Sequence, residues 1–98
     1  MNPSLDLAAL RAMLEDFFAG LPVQVYLFGS AARGALRRGS DLDVGVLPQA
    51  PLPVGLLSQL RERLEESNLL FRVDLVDLSQ APPELVQRVQ TEGVRWIG

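Results

Sequence analysis

Between residues 29 and 43 the chain reads Gly-Ser, then a loop holding Arg33, Arg37 and Arg38, then Asp41-Leu42-Asp43. On an extended strand alternate side chains share a face, so Asp41 and Asp43 project together while Leu42 points the other way, into a core. Two carboxylates side by side repel unless a cation lies between them. Mg²⁺ suits the pair, being a hard ion that takes oxygen ligands and shares its coordination shell with substrate phosphates. Ahead of the aspartates, Gly29 ends an apolar run and Ser30 can open a helix. Free backbone amides and a hydroxyl would then cradle a phosphate. Gly-Ser alone is a common turn, and Ser40-Asp41 can be ordinary turn residues. Their succession within one short segment is what points to metal-assisted phosphoryl chemistry.

A third carboxylate, Asp74, lies in the run Leu-Phe-Arg-Val-Asp-Leu-Val-Asp-Leu over residues 70–78. A strand of such apolar character normally avoids an acid. In two-metal phosphoryl transfer the ions sit about 4 Å apart and stabilise both the attacking and the leaving oxygen. Asp41 and Asp43 would bridge both ions there, and Asp74 would hold the one that activates an acceptor hydroxyl. Asp77 competes for that role, but its odd offset from Asp74 sends it to the opposite face. The guanidinium forks of Arg33, Arg37 and Arg38 could bind triphosphate oxygens, with a solvated loop as the alternative. Arg72 shares parity with Asp74 and could pair with it or touch substrate. Tyr26 and Phe28 are most simply core residues.

Composition narrows the chemistry. All nine cationic residues among the 98 are arginine, and there is no lysine, histidine or cysteine. Zinc sites, thiol nucleophiles, histidine bases and Schiff-base chemistry are thereby excluded, and any metal site must be built from oxygen. The formal charge of −3 argues against a nucleic-acid backbone as the partner. No apolar stretch reaches the roughly 18 residues that span a bilayer, and no secretory leader is visible. The expectation is a cytoplasmic protein with no membrane partner. A hydrophobic content of 48% is high for this length. It fits either a well-filled core or a surface covered by another subunit, in a homo- or hetero-oligomer.

The elements that must position these residues follow from periodicity. Leu7, Leu10, Leu14, Phe17 and Phe18 recur at helical spacing from Ser4 to Phe18, with Ser4 as cap and Gly20-Leu21-Pro22 as stop. Val23 to Phe28 predicts a buried strand, residues 30–36 a short helix, and Asp41 to Leu47 a second strand. The segment 48–53 carries three prolines and makes a stiff connector. Leu56, Leu57, Leu60 and Leu64 mark a helix whose other face, with Arg61, Glu62, Glu65 and Glu66, is solvated. A third strand spans Leu70 to Leu78. Pro83 and Glu84 open a last helix with Leu85, Val86 and Val89 as its apolar stripe, Gly93 ends it, and residues 94–97 suggest a short final strand. This alternation predicts one α/β (α+β) domain over residues 1–98, a small mixed sheet of three to four strands with helices on one face and the site on the other.

Gly29-Ser30, ten residues, then Asp41-x-Asp43 with apolar flanks resembles the signature of the DNA polymerase β-like nucleotidyltransferases. The likeness is strongest to their stand-alone branch, the minimal nucleotidyltransferase (MNT) domains. It extends over residues 25–34, 40–44 and 73–76 as well as the leading helix. The resemblance implies Mg²⁺-dependent transfer of a nucleoside monophosphate from a nucleoside triphosphate such as ATP, with two ions. It implies Gly29 and Ser30 as nucleotide-binding residues, to which the loop position adds Arg33, and Asp41, Asp43 and Asp74 as catalytic metal ligands. Small members of the branch act as antitoxins beside HEPN-domain toxins, some by transferring AMP to a toxin tyrosine, so a HEPN toxin is the implied partner. A non-catalytic module that covers a toxin is the competing expectation. A small-molecule acceptor such as an aminoglycoside is a third, for which relatives usually carry an additional helical domain.

Overall fold

The computed structural model describes residues 3–29, 41–69 and 71–98, with the side chains of residues 3–6 outside that description. Among the described residues three helices, α1 (Pro3–Phe17), α2 (Leu56–Glu66) and α3 (Pro83–Glu92), accompany four strands: β1 (Val23–Phe28), β2 (Asp41–Pro48), β3 (Arg72–Asp77) and β4 (Val94–Ile97). The sheet order is β3-β2-β1-β4. β1 runs antiparallel to β2 and β4. β2 and β3 run parallel, because the chain returns through α2 instead of a tight hairpin.

Strand alternation divides the apolar residues between two cores. Val23, Val25 and Leu27 of β1, Leu42, Val44 and Val46 of β2, and Leu75 of β3 face α1 and α2, where they meet Leu10, Leu14, Phe18, Leu60 and Leu64. Leu10 and Leu14 are wholly enclosed, so truncating either to alanine costs about 2–5 kcal/mol. Arg63 of α2 lies over the Phe17 ring, 5.4 Å from its centroid, tying the two helices together. The smaller core, on the opposite face, joins Tyr26, Leu78 and Val89 with Phe28, Leu85 and Val86.

The four-stranded mixed sheet and the first two helices follow the sequence-based expectation. α3 departs from it and packs on the aspartate face. Its apolar stripe needs a surface, and Tyr26 and Phe28 provide one where β1 turns its other side. β3 also ends earlier than expected, since Leu78 enters a 3₁₀ turn over Leu78–Gln80. Asp77 Oδ1 accepts hydrogen bonds from the Ser79 amide, 3.0 Å, and the Ser79 hydroxyl, 2.6 Å. That local bonding competes with strand continuation. The expected helix over residues 30–36, the turn at Gly39-Ser40 and Leu70 lie outside the described residues.

Candidate functional site

The site forms where the end of β1 meets the starts of β2 and β3. Phe28 is the register partner of Asp43 across the antiparallel β1/β2 pair. The next residue, Gly29, turns at φ +77, and a Cβ there would fall on the Asp43 carboxylate, 3.3 Å from its Cγ. On the other side, the parallel β2/β3 pair sets Asp43 opposite Asp74 and Asp41 opposite Arg72. Leu42, Val44 and Leu75 point into the larger core, so Asp41, Asp43, Arg72 and Asp74 share the opposite face.

Asp43 is half-buried, while Asp41 and Asp74 are exposed beside it. Its carboxyl is pushed above the usual carboxylate range, first by burial and then by the charges of Asp74 and Asp41. Arg72 relieves none of this through an ion pair. Among the described residues the one such pair is Arg11 with Glu15, 3.8 Å apart on α1. Nor do three acidic side chains among the described residues converge tightly enough to hold an ion alone. The donor set nonetheless fits Mg²⁺, which is held by one or two carboxylates and completes its shell with water and substrate phosphates. Asp43 flanked by two further carboxylates gathers the kind of negative charge that such an ion neutralises. Asp77 stands apart, at the far end of β3, and caps the 3₁₀ turn. Ser30, Arg33, Arg37 and Arg38 lie outside the described residues.

A cavity of about 560 Å³ opens on the β1 side of Asp43, bounded by Phe28, Gly29 and Asp43 from the sheet and by Leu85, Arg88, Val89 and Glu92 from α3. That volume is in the range of small-ligand sites. Phe28 therefore serves both core and cavity wall. Arg88 and Glu92 were absent from the sequence-based candidates, although positions 85, 88, 89 and 92 form one i, i+3, i+4, i+7 stripe. The missing signal was knowledge of the face on which α3 packs. Asp43 thus has a walled cavity on one flank and the exposed Asp74 on the other.

A glycine turn against an Asp-x-Asp pair, with a third carboxylate in register on the next strand of a mixed sheet, defines a nucleotidyltransferase-type site. The chain belongs to the polymerase beta nucleotidyltransferase family, whose profile matches residues 14–97. It is 42% identical over 74 residues to the protein adenylyltransferase MntA of Shewanella oneidensis, covering 76% of this chain and 52% of that protein. Over the same length it is 34% identical to a Haemophilus influenzae protein assigned as the adenylyltransferase MntA, covering 76% and 63%. The chain therefore spans between about half and two thirds of these curated relatives. Among solved structures it is similar to one assigned as a minimal nucleotidyltransferase, with TM-score 0.74 and 32% identity over 96% of this chain and 95% of that one. It is also similar to a chain of the Shewanella oneidensis complex of a tri-AMPylated HEPN toxin with an MNT antitoxin, with TM-score 0.65 and 28% identity over 99% and 73%.

Proposed function

We propose that residues 1–98 act as a nucleotidyltransferase domain that transfers AMP from ATP to a hydroxyl of a HEPN-type toxin, as the antitoxin of a toxin–antitoxin pair in the cytoplasm. The observation that carries this reading is the placement of Asp43 between Gly29, on the adjacent strand end, and Asp74, its register partner on β3. Similarity to MntA adenylyltransferases and to the tri-AMPylated toxin complex supports both the nucleotide and the partner.

Asp41, Asp43 and Asp74 would hold two Mg²⁺ ions, which supply charge neutralisation at the attacking and leaving oxygens. Gly29 and Ser30 bind the triphosphate, with Arg33 offering a guanidinium fork. The acceptor oxygen attacks the α-phosphorus from the Asp74 flank, the bond from that phosphorus to the bridging oxygen breaks, and pyrophosphate leaves with the electron pair. The hydroxyl proton is lost toward Asp74. Incubation with a HEPN partner, Mg²⁺ and ATP labelled at the α-phosphate should label the partner. Labelling that persisted after Asp41→Asn plus Asp43→Asn would sink this mechanism.

A second reading, neutralisation by covering the toxin, is supported by the 48% hydrophobic content of so short a chain, which suits a surface covered by a partner. Under it the double Asn variant still binds and silences the partner, whereas the transfer reading expects binding without lasting protection.

A further inference from the structure

α3 brings two charged side chains to the cavity beside Asp43 that the transfer scheme leaves without a role. Glu92 is the last residue of α3, and the final turn holds no basic residue. The negative end of the helix dipole disfavours a carboxylate there. Arg88 stands one turn earlier, at the i, i+4 spacing where an ion pair normally forms. Among the described residues neither makes one. Both border the cavity, whose lining also includes the apolar side chains of Phe28, Leu85 and Val89. Glu92 is exposed at the rim of the cavity, and an acid at this helix end, with no ion-pair partner among the described residues and beside an apolar wall, departs from the local rule in the manner of a ligand-binding residue.

The chemistry of the ligand follows from Glu92. A carboxylate is acceptor-only, so its partner must donate. A triphosphate would meet it with like charge. A vicinal diol donates without charge, which is how an acidic residue reads a ribose in dinucleotide-binding folds. The apolar wall suits a flat base, and a guanidinium over the ring face adds a cation–π contact.

We infer that the α3 wall of this cavity receives the nucleoside end of the donor, with Glu92 accepting hydrogen bonds from the ribose hydroxyls and Phe28, Leu85 and Val89 packing the base. The phosphates then run toward Asp43. This deepens the donor-site reading above and rests on it.

Equilibrium binding of ATP, 2′,3′-dideoxy-ATP and tripolyphosphate, each in Mg²⁺ and without acceptor, tests it in the wild type and in Glu92→Ala. The wild type should prefer ATP to the dideoxy nucleotide by about tenfold, the worth of a hydrogen bond to a charged group. Glu92→Ala should bind the two nucleotides equally, with tripolyphosphate affinity unchanged. A wild-type protein blind to the ribose hydroxyls, a preference that survives the substitution, or a parallel loss of tripolyphosphate binding each overturns the inference while leaving the donor reading intact. Failure of the wild type to bind ATP in Mg²⁺ at all overturns both.

Discussion

Gly29 and Asp43 occupy one space: the left-handed turn at Gly29, φ +77, brings its backbone against the Asp43 carboxylate so closely that no side chain fits between them. Alanine at position 29 meets two penalties. A left-handed conformation costs a residue with a Cβ about 1–2 kcal/mol, and the added methyl must displace Asp43 or the turn. Gly29→Ala should lower the unfolding free energy by at least that amount in urea titration. It should also reduce transfer to the partner far beyond the loss in stability, since a small misplacement of a reacting group can cost about 10²-fold. Wild-type activity in a stably folded Gly29→Ala protein would remove Gly29 from the site.

The charge cluster sets a pH dependence. Folding raises the Asp43 carboxyl above its usual value of 3.8, through burial first and then Asp74 and Asp41. The folded state then keeps a proton that the unfolded state has released. Stability accordingly falls as pH rises from 3.8 through the folded titration, and the loss is complete above it. In EDTA, thermal unfolding of the wild type compared with Asp43→Asn should show the wild type losing relative stability across that window. Saturating Mg²⁺ near neutrality should raise the wild-type Tm and leave the variant nearly unmoved. A parallel pH profile for the two proteins would contradict the raised Asp43 carboxyl.

The two aspartates of β3 should separate by measurement. Asp77 accepts from the Ser79 amide and hydroxyl, a capping role worth about 1 kcal/mol. Asp77→Ala should therefore lower stability by roughly that much and leave kcat alone. Asp74 is exposed on the site face opposite Asp43. Asp74→Asn should leave stability equal or slightly higher, because a like charge disappears, while kcat for transfer falls by orders of magnitude. Reversal of the two phenotypes would reassign the third metal ligand.

Much of this arrangement was legible in the residues. Period-two alternation in β2 placed Leu42 in the core and the aspartates on one face, and the odd offset of Asp77 from Asp74 put those two on opposite faces of β3. Apolar periodicity located α1, α2 and α3 because each buries its stripe. The face on which α3 packs was not legible. Leu85, Val86 and Val89 say that the helix is buried on one side, but which side of the sheet it meets depends on Tyr26 and Phe28, whose partners are distant in sequence. Arg88 and Glu92 went unnoticed for the same reason. The early end of β3 escaped because side-chain bonding by Asp77 overrides the strand pattern that Leu78 continues.

Gly45 links the fold to the cavity. It is buried in β2 on the site face, and a Cβ there would lie 2.9 Å from Leu78 Cδ1, 3.2 Å from Leu78 Cγ and 3.3 Å from Phe28 Cε1. Leu78 is itself enclosed, so its shift is costly, and the Phe28 ring, which also borders the cavity, must give by a few tenths of an ångström. Overpacking of this kind costs about 1–3 kcal/mol. Gly45→Ala should lower Tm accordingly and weaken ATP binding more than tripolyphosphate binding, because the displaced ring belongs to the apolar wall and not to the carboxylate cluster. Equal weakening of both ligands, seen by calorimetry at a temperature where the variant is folded, would show that the strain passes through Asp43 instead.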